Sequence, residues 1–522
     1  MVLERKLPIG VQDFEKLIRE GYIYVDKTEY VYRLAKSGLS YFLSRPRRFG
    51  KSLFLSTLRA YFEGKKELFT GLKIMELEGD GPDAWQKYPV FYFDFNKKNF
   101  QTDTAFEEVL AEHLKEWEAI YGDERKDAPL EERFRYLLVK AVEVTGKNAV
   151  ILVDEYDKSL LESNVGRLEH NKAVFKGFFS TLKSYDHYLK FVFLTGVTKF
   201  SKVSIFSDLN QLRDISMLPD YNGICGITQS ELVDTFTPEI EQLAQQEDID
   251  FETCLSKLRK MYDGYHFSYN TEGVYNPFSL LNALEDQNFG MYWFETGTPT
   301  FLIEMLKKSG FDAKEITKGN LYAKETIITD YRYDNPNPIP LFYQTGYLTI
   351  KGYDKEFRSY QLDYPNDEVK YGFLERLTPY YLHDEDEPDP LDVRSFVLDI
   401  RKGNTESFQD RFMALFARLP YPDDEKQVEQ NFQNVIYIVF MLLGQYTMTE
   451  IHSAKGRADC IVETDDYVYI FEFKRDKSAE EALQQIEDMG YAKPYAADKR
   501  TLLKIGVNFD SKERSISGWE VR

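Results

Sequence analysis

Cysteine is scarce in this 522-residue sequence: Cys225, Cys254 and Cys460 are the only three, and no two are closely spaced. That excludes a disulfide framework and a cysteine zinc site, and it fits a reducing compartment. Histidine is nearly as sparse, with six residues scattered along the chain, so a histidine-rich metal site is not expected. Long apolar runs are missing too. Val435 to Gly444 is the longest, far too short to cross a bilayer, and Met1 to Lys6 does not resemble a secretory leader. Basic charge is in deficit, with 66 Lys and Arg against 87 Asp and Glu, a net charge of −21. A surface so acidic repels polyanions as a whole. Any nucleic-acid contact must then come from a local basic patch, or be weak and salt-sensitive. No internal repeat and no low-complexity tract occurs. These absences lead us to expect a soluble, cytoplasmic, multidomain protein without a membrane partner.

What is present points to packed cores. Hydrophobic residues make up 43% and aromatics 15%, which suits globular material rather than a solvated tail. At roughly 100–200 residues per domain, the length suggests about three domains. Over the first 220 or so residues, short apolar runs alternate with longer amphipathic stretches. Ser40–Leu43, Val90–Phe95, Ala149–Val153 and Phe191–Thr195 read as strands buried on both faces. Thr104–Tyr121 and Leu130–Thr145 have the spacing of helices. Such alternation predicts an α/β domain with a mostly parallel sheet. From Thr228 to Lys318 the pattern is helical, with segments opening at Gln229–Leu232 and Pro277–Leu284. A proline-rich break at Asn335–Pro340 precedes a buried apolar element at Leu341–Ile350. The acidic run Asp384–Asp389 reads as a solvated loop or linker, with helix signals again from Leu391.

The first chemical motif is the stretch Ser44-Arg45-Pro46-Arg47-Arg48-Phe49-Gly50-Lys51-Ser52, between a strand and a helical run. A phosphate loop needs backbone N–H groups around the phosphates, a lysine reaching the terminal ones, a hydroxyl for magnesium, and a helix N-terminus behind. Gly50-Lys51-Ser52 sits where all of these are met. Arg45 stands where the common GxxxxGK(S/T) pattern has glycine. The second motif is the apolar strand Ala149–Val153 ending in Asp154-Glu155, in which Asp154 would hold magnesium and Glu155 would orient or deprotonate the attacking water. The same residues also suit a buried strand ending in a solvated acidic turn. Thr195 and Thr198, at the end of a further strand, are candidates for sensing the γ-phosphate or for plain turn chemistry. Arg45, Arg47 and Arg48 could neutralise phosphate charge or serve a neighbouring subunit as an arginine finger.

A second cluster lies near the C-terminus. Gly456-Arg457-Ala458-Asp459 leads a strand, Asp465-Asp466 turns it, and Val468–Lys474 returns. Alternate side chains on a strand share a face, so Glu472 and Lys474 point the same way, and the hairpin can bring Asp459 beside them. Two carboxylates and a lysine at a strand end could bind magnesium and activate water for phosphodiester cleavage. An ordinary hairpin with a polar face explains the pattern as well. Glu429 on a preceding helix, and Gln484, Gln485 and Tyr491 on a following one, could add to one site.

In order along the chain, these motifs resemble a bacterial family with an AAA-ATPase-like N-terminal domain and a PD-(D/E)XK nuclease-like C-terminal domain. The matching residues include Pro8-Ile9-Gly10, Tyr24–Thr28, Arg45–Ser52, Val153–Asp157, Leu194–Val197, Tyr262–Tyr265, Tyr275–Pro277, Gln344–Leu348 and the GRAD…FEFK hairpin. The resemblance implies a P-loop NTPase parallel sheet over 1–225, a mostly helical middle over 226–400, and an α/β restriction-endonuclease-like domain over 401–522. It also implies ATP and Mg2+ as cofactors. Arg48, Phe49, Gly50, Lys51, Ser52, Asp154 and Thr195 would bind the nucleotide, and Glu155, Asp459, Glu472 and Lys474 would be catalytic. Ser52, Asp154, Asp459 and Glu472 would hold metal. In the segment Tyr24–Thr28, Asp26 and Lys27 could pack on the nucleotide base, or Thr28 could be a structural helix cap. The expected function is a P-loop ATPase coupled to a metal-dependent nuclease acting on DNA or RNA. The rivals are a nucleotide-switched scaffold with a catalytically silent nuclease-like domain, and an ATPase motor or chaperone acting on protein.

Overall fold

The computed structural model describes residues 5–38, 40–97, 100, 102, 104–161, 165–199, 212–295, 306, 321–329, 337–382, 391–418, 425–451, 458–513 and 515–522. Packing divides the chain into two compact units, Met1–Gly297 with Gly319–Glu368, and Thr298–Lys318 with Val369–Arg522. Gly456, Arg457, the acidic run Asp384–Asp389 and the start of the proline-rich break lie outside the described residues.

The first unit is built on a parallel sheet of β1 (Ser40–Ser44), β2 (Val90–Asp94), β3 (Ala149–Asp154), β4 (Leu189–Gly196) and β5 (Arg213–Asp214). Their spatial order is β2-β3-β4-β1-β5, with every neighbouring pair parallel. The chain leaves β1 for the far edge, lays down β2 and β3, and returns with β4 next to β1. That reversal sets the carboxyl ends of β1, β4 and β3 side by side, where open parallel sheets take their ligands. All six residues of β3 are buried, as an unbroken Ala-Val-Ile-Leu-Val run requires of a strand covered on both faces. The helices Lys51–Phe62 and Leu130–Thr145 pack on it. Aromatic side chains fill much of the space below. The Phe93 ring meets Trp117, Phe134 and Phe178 edge-on at centroid distances of 4.9, 5.5 and 5.6 Å. Truncating such a buried ring to alanine typically costs about 3–5 kcal/mol.

The helices Gln229–Gln246, Phe251–Tyr262 and Pro277–Glu285 of the same unit share an apolar cluster that includes Leu232, Phe236, Leu243, Leu258 and Leu280. The first opens with a capping box, in which Thr228 N–H donates to Glu231 (2.8 Å) and Glu231 N–H donates to Thr228 Oγ1 (3.3 Å). Asn276 caps the third, donated to by the N–H groups of Phe278 and Ser279, with Pro277 at the first helical position. The expected apolar element at Leu341–Ile350 is two elements. A helix runs over Ile339–Thr345, Gly346 ends it in the left-handed region (φ 91°), and β7 (Thr349–Asp354) follows. With β6 (Leu321–Lys324) and β8 (Ser359–Asp363), β7 forms an antiparallel sheet in the order β6-β8-β7.

The second unit carries a mixed sheet of β9 (Met448–Ile451), β10 (Cys460–Glu463), β11 (Tyr467–Arg475), β12 (Thr501–Asp510) and β13 (Ser515–Val521), ordered β13-β12-β11-β10-β9. Only β11 and β12 run parallel; the crossover between them carries the helix Ala479–Met489. The expected hairpin forms between β10 and β11, with Thr464 N–H donating to Tyr467 O across the turn. Phe408 and Phe440, from the helices Thr405–Ala417 and Glu425–Leu443, pack on Phe471 at 5.8 and 4.8 Å. The apolar run from Val435 ends this second helix, and no helix among the described residues is long and apolar enough to cross a membrane. Glu429 belongs to the same helix, but its side chain lies outside what is described.

Candidate functional site

The phosphate-loop sequence forms a connection from the end of β1 to the helix Lys51–Phe62. Two residues bend it: Arg48 at φ 67° and Gly50 at φ 88°, both left-handed. At Gly50 the missing Cβ removes the strain that Arg48 carries. Lys51, the first helical residue, is 3% exposed and donates from Nζ to the carbonyls of Arg45 and Pro46, each at 3.1 Å. The same Nζ lies 3.3 Å from Glu155 Oε1.

Asp154 ends β3 and is 1% exposed. Its Oδ1 accepts from Thr195 Oγ1 at 2.7 Å, and the Ser52 hydroxyl is near enough to the same carboxylate to draw its pKa down. Burial, then the charge of Glu155, pushes the Asp154 carboxyl up, against the pull of Ser52, Thr195 and Lys51. Glu155 turns the chain at φ 50°. Asp157, fully buried, accepts from Val197 N–H, Thr198 N–H and Thr198 Oγ1, and is likewise pushed up by burial. Thr198 therefore spends its hydroxyl on Asp157, while Thr195 spends its own on Asp154. The structure thus brings together Lys51, Ser52, Asp154, Glu155 and Thr195, residues from three separate stretches of sequence.

Three of them, Lys51, Ser52 and Glu155, line a cleft of about 480 Å³, within the range of small-molecule sites, whereas Asp154 and Thr195 are buried and do not line it. Arg47, Arg48 and Lys158 add charged lining to it. Ile9, Val11, Phe278 and Leu281 supply apolar lining to the same cleft. The Arg48 guanidinium rests 4.7 Å over the Phe278 ring.

Other expected residues point elsewhere. The Phe49 side chain, 1% exposed, is turned into the core against Tyr265 and Phe267, at 4.8 and 5.5 Å; only its backbone stays in the loop. Arg45 is buried behind the loop, donating to the carbonyls of Ser44, Ser216 and Tyr221 and stacking 3.9 Å from the Phe267 ring centroid. It does not line the cleft. Asp26 Oδ1 accepts from Thr28 N–H and Oγ1, and Lys27 Nζ bonds to Gly223 O and Glu231, so both serve the helix start and its packing. Val25 and Tyr24 line an apolar recess beside the cleft. Ile9, Val11, Phe278 and Leu281 were not legible as cleft residues, because no spacing rule links sequence positions so far apart.

In the second unit, Asp459 stands just before β10, opposite Glu472 of β11, and accepts from Phe473 N–H at 2.9 Å. Lys474 Nζ donates to Glu472 Oε1 at 2.8 Å and to Gln485 Oε1 at 2.6 Å, and Gln485 Nε2 closes the triangle onto Glu472 Oε1. Glu472 is 1% exposed, and its Oε2 is buried with no hydrogen-bond partner among the described residues. Burial pushes the Asp459 and Glu472 carboxyls up, and the charge of Asp459 adds to the rise at Glu472. Gln484 faces solvent and donates to Asp488, whereas Tyr491 belongs to the apolar cluster with Ile470 and Ile486. Among the described residues no group of three or more His, Cys, Asp or Glu converges on a metal position. Any cation here would rest on two carboxylates with other oxygens.

A family model described as "Predicted AAA-ATPase" matches residues 8–206, and a model of the PD-(D/E)XK nuclease superfamily matches residues 427–519. The chain is also 36% identical over 534 residues to a protein of Azotobacter chroococcum mcd 1 named "Uncharacterized protein in vnfD 5'region", with 99% of each chain covered. End-to-end similarity at that level, with both family models matched in order, leads to one conclusion. The chain belongs to the family of proteins that join an AAA-ATPase-like N-terminal domain to a C-terminal PD-(D/E)XK nuclease domain.

Proposed function

We propose that the protein binds and hydrolyses ATP in its first unit, and that this cycle governs a metal-dependent nuclease in its second unit, acting on DNA or RNA in the cytoplasm. The observation that carries the reading is that Lys51, Ser52 and Glu155 line one cleft, with Lys51 Nζ 3.3 Å from Glu155 and the buried Asp154 next to Glu155 at the end of β3. In this reading Lys51 leaves Glu155 for the terminal phosphates, backbone N–H groups from Arg48 to Ser52 cradle the anion, and Arg48 adds charge. Ser52 and Asp154 hold Mg2+, with Thr195 fixing the Asp154 carboxylate. Glu155, freed from Lys51, accepts the proton of the attacking water. The nucleoside lies along Ile9, Val11, Phe278 and Leu281.

At the second site the donor set suits a hard divalent cation: two carboxylates raised by burial, one of them with a buried oxygen that has no protein partner. A cation bound there supplies charge neutralisation and a more acidic water. Asp459 and Glu472 hold it, Lys474 stabilises the charge that develops on the phosphodiester, and Gln485 keeps Lys474 in place.

The test is incubation of the full chain with Mg2+ or Mn2+ and single- and double-stranded DNA and RNA, with and without ATP, beside Asp459→Ala and Lys474→Ala. Cleavage that requires both residues supports the nuclease, and its ATP dependence measures the coupling. A nucleotide-switched scaffold is the second reading, favoured by the net charge of −21. Intact ATP binding with no cleavage of any substrate would decide for it.

A further inference from the structure

The backs of the phosphate loop and of β4 meet one short segment that the proposed ATPase chemistry leaves unused, Gln344-Thr345-Gly346. Beyond Thr198 the chain leaves the site at Lys199, whose N–H donates to Gln344 Oε1 at 2.8 Å. Gln344 is 5% exposed, and its other end donates from Nε2 to Ile328 O at 2.9 Å. Both halves of a buried amide are therefore used, each by a backbone group that a carboxylate or an alkyl chain could not serve in the same way. Two residues on, Gly346 abuts the loop: a Cβ built there would lie 2.9 Å from Pro46 Cβ and Cγ. The helix Ile339–Thr345 thus ends against the phosphate loop while its Gln344 grips the exit of β4.

The exit of β4 is where the γ-phosphate end of the cleft is organised. Thr195 braces Asp154, and Val197 and Thr198 are held by Asp157, all within four residues of Lys199. The Val197 and Thr198 N–H groups donate to Asp157, so the backbone between Lys199 and Thr195 is tied to both carboxylates. Lys199 Nζ adds a second tie, pairing with Asp214 on β5.

We propose that Gln344 is a positioning residue for ATP hydrolysis: by holding Lys199 N–H it keeps the β4 exit, and with it Asp154 and the neighbouring Glu155, in reacting geometry. It contacts neither nucleotide nor metal. This inference rests on the ATPase reading.

The test compares wild type, Lys51→Ala, Gln344→Met and Gln344→Glu in the full chain, measuring ATP affinity by calorimetry and kcat by phosphate release. Gln344→Met keeps the volume and loses both hydrogen bonds; Gln344→Glu keeps the acceptor facing Lys199 N–H. Positioning predicts that both variants bind ATP within about threefold of wild type, because Lys51 and Ser52 are untouched. It predicts that kcat falls by about tenfold to a hundredfold in Gln344→Met, with Gln344→Glu recovering part of it. A purely structural role predicts the opposite order, since an extra buried carboxylate is tolerated less well than methionine. Equal kcat in wild type and both Gln344 variants, or Gln344→Glu worse than Gln344→Met, overturns the inference. The ATPase reading fails separately, if Lys51→Ala binds ATP as wild type does or if wild type binds without hydrolysis; the second result also removes this role from Gln344.

Discussion

Lys51 Nζ lies 3.3 Å from Glu155 Oε1, so the group expected to meet the phosphates and the group expected to take a proton are paired with each other. Both are largely withdrawn from water, at 3% and 17% side-chain exposure, which keeps their attraction from being screened away. On the proposed reading, bound nucleotide would exchange that partnership for its own. Glu155→Gln removes the charge that holds Lys51 while keeping its shape. It is expected to bind ATP at least as tightly as wild type and to hydrolyse it about 10²–10⁴ times more slowly. Calorimetry and phosphate release check both halves, and weak binding comparable to that of Lys51→Ala would contradict the assignment.

The apolar lining of the cleft predicts a split between base and phosphate recognition. Phe278, which lines the cleft, presents an aromatic face under the Arg48 guanidinium. Stacking of a base on such a ring is worth about 1–3 kcal/mol. Phe278→Ala is expected to weaken ATP by about tenfold and to leave inorganic tripolyphosphate unchanged, whereas Lys51→Ala should weaken both. Competition titrations with the two ligands measure it.

The carboxylate pair of the second unit makes a pH prediction. Burial raises the Asp459 carboxyl above its ordinary 3.8. A raised acid stabilises the fold fully below its unfolded value and loses that contribution as pH climbs through the folded value. Asp459→Asn escapes the loss and can still accept from Phe473 N–H. Its melting temperature should exceed that of wild type at pH 8, and the gap should close towards about pH 4. Mn2+ without nucleotide should raise the wild-type transition and leave that of Asp459→Asn unmoved. A gap that widens on acidification would remove burial as the cause.

Arg45 gives a prediction against intuition. Replacing it by glycine restores the common phosphate-loop pattern, yet strips three carbonyl bonds and the stack on Phe267 from the core. The expected result of Arg45→Gly is a loss of about 3 kcal/mol or more of stability in denaturant unfolding, with no gain in ATP affinity.

Elements with a strong local signal were readable from the sequence. Leu130–Thr145 is a helix with the bounds its spacing predicts, and β3 ends on Asp154 as its apolar run foretold. The directions of loop side chains were not. Phe49 and Arg45 turn inward because Tyr265 and Phe267, more than two hundred residues later, fill the space behind them. No periodicity encodes that. Glu472 and Lys474 share a face by strand alternation, so their contact was legible. The choice of Gln485 over Gln484 was decided by the rotation of the helix Ala479–Met489, which sends one to Lys474 and the other to solvent.

The three sulfhydryls offer an unplanned reporter. Cys225 and Cys254 belong to the first unit and Cys460 to the second; all are free and at most 3% exposed, with burial raising each above its ordinary pKa. Alkylation requires both access and thiolate, so an intact molecule is inert to it. Timed alkylation followed by peptide mapping therefore clocks the opening of each unit independently, without any introduced label. Adding ATP should slow modification at Cys225, which lines the recess beside the cleft, more than at Cys460.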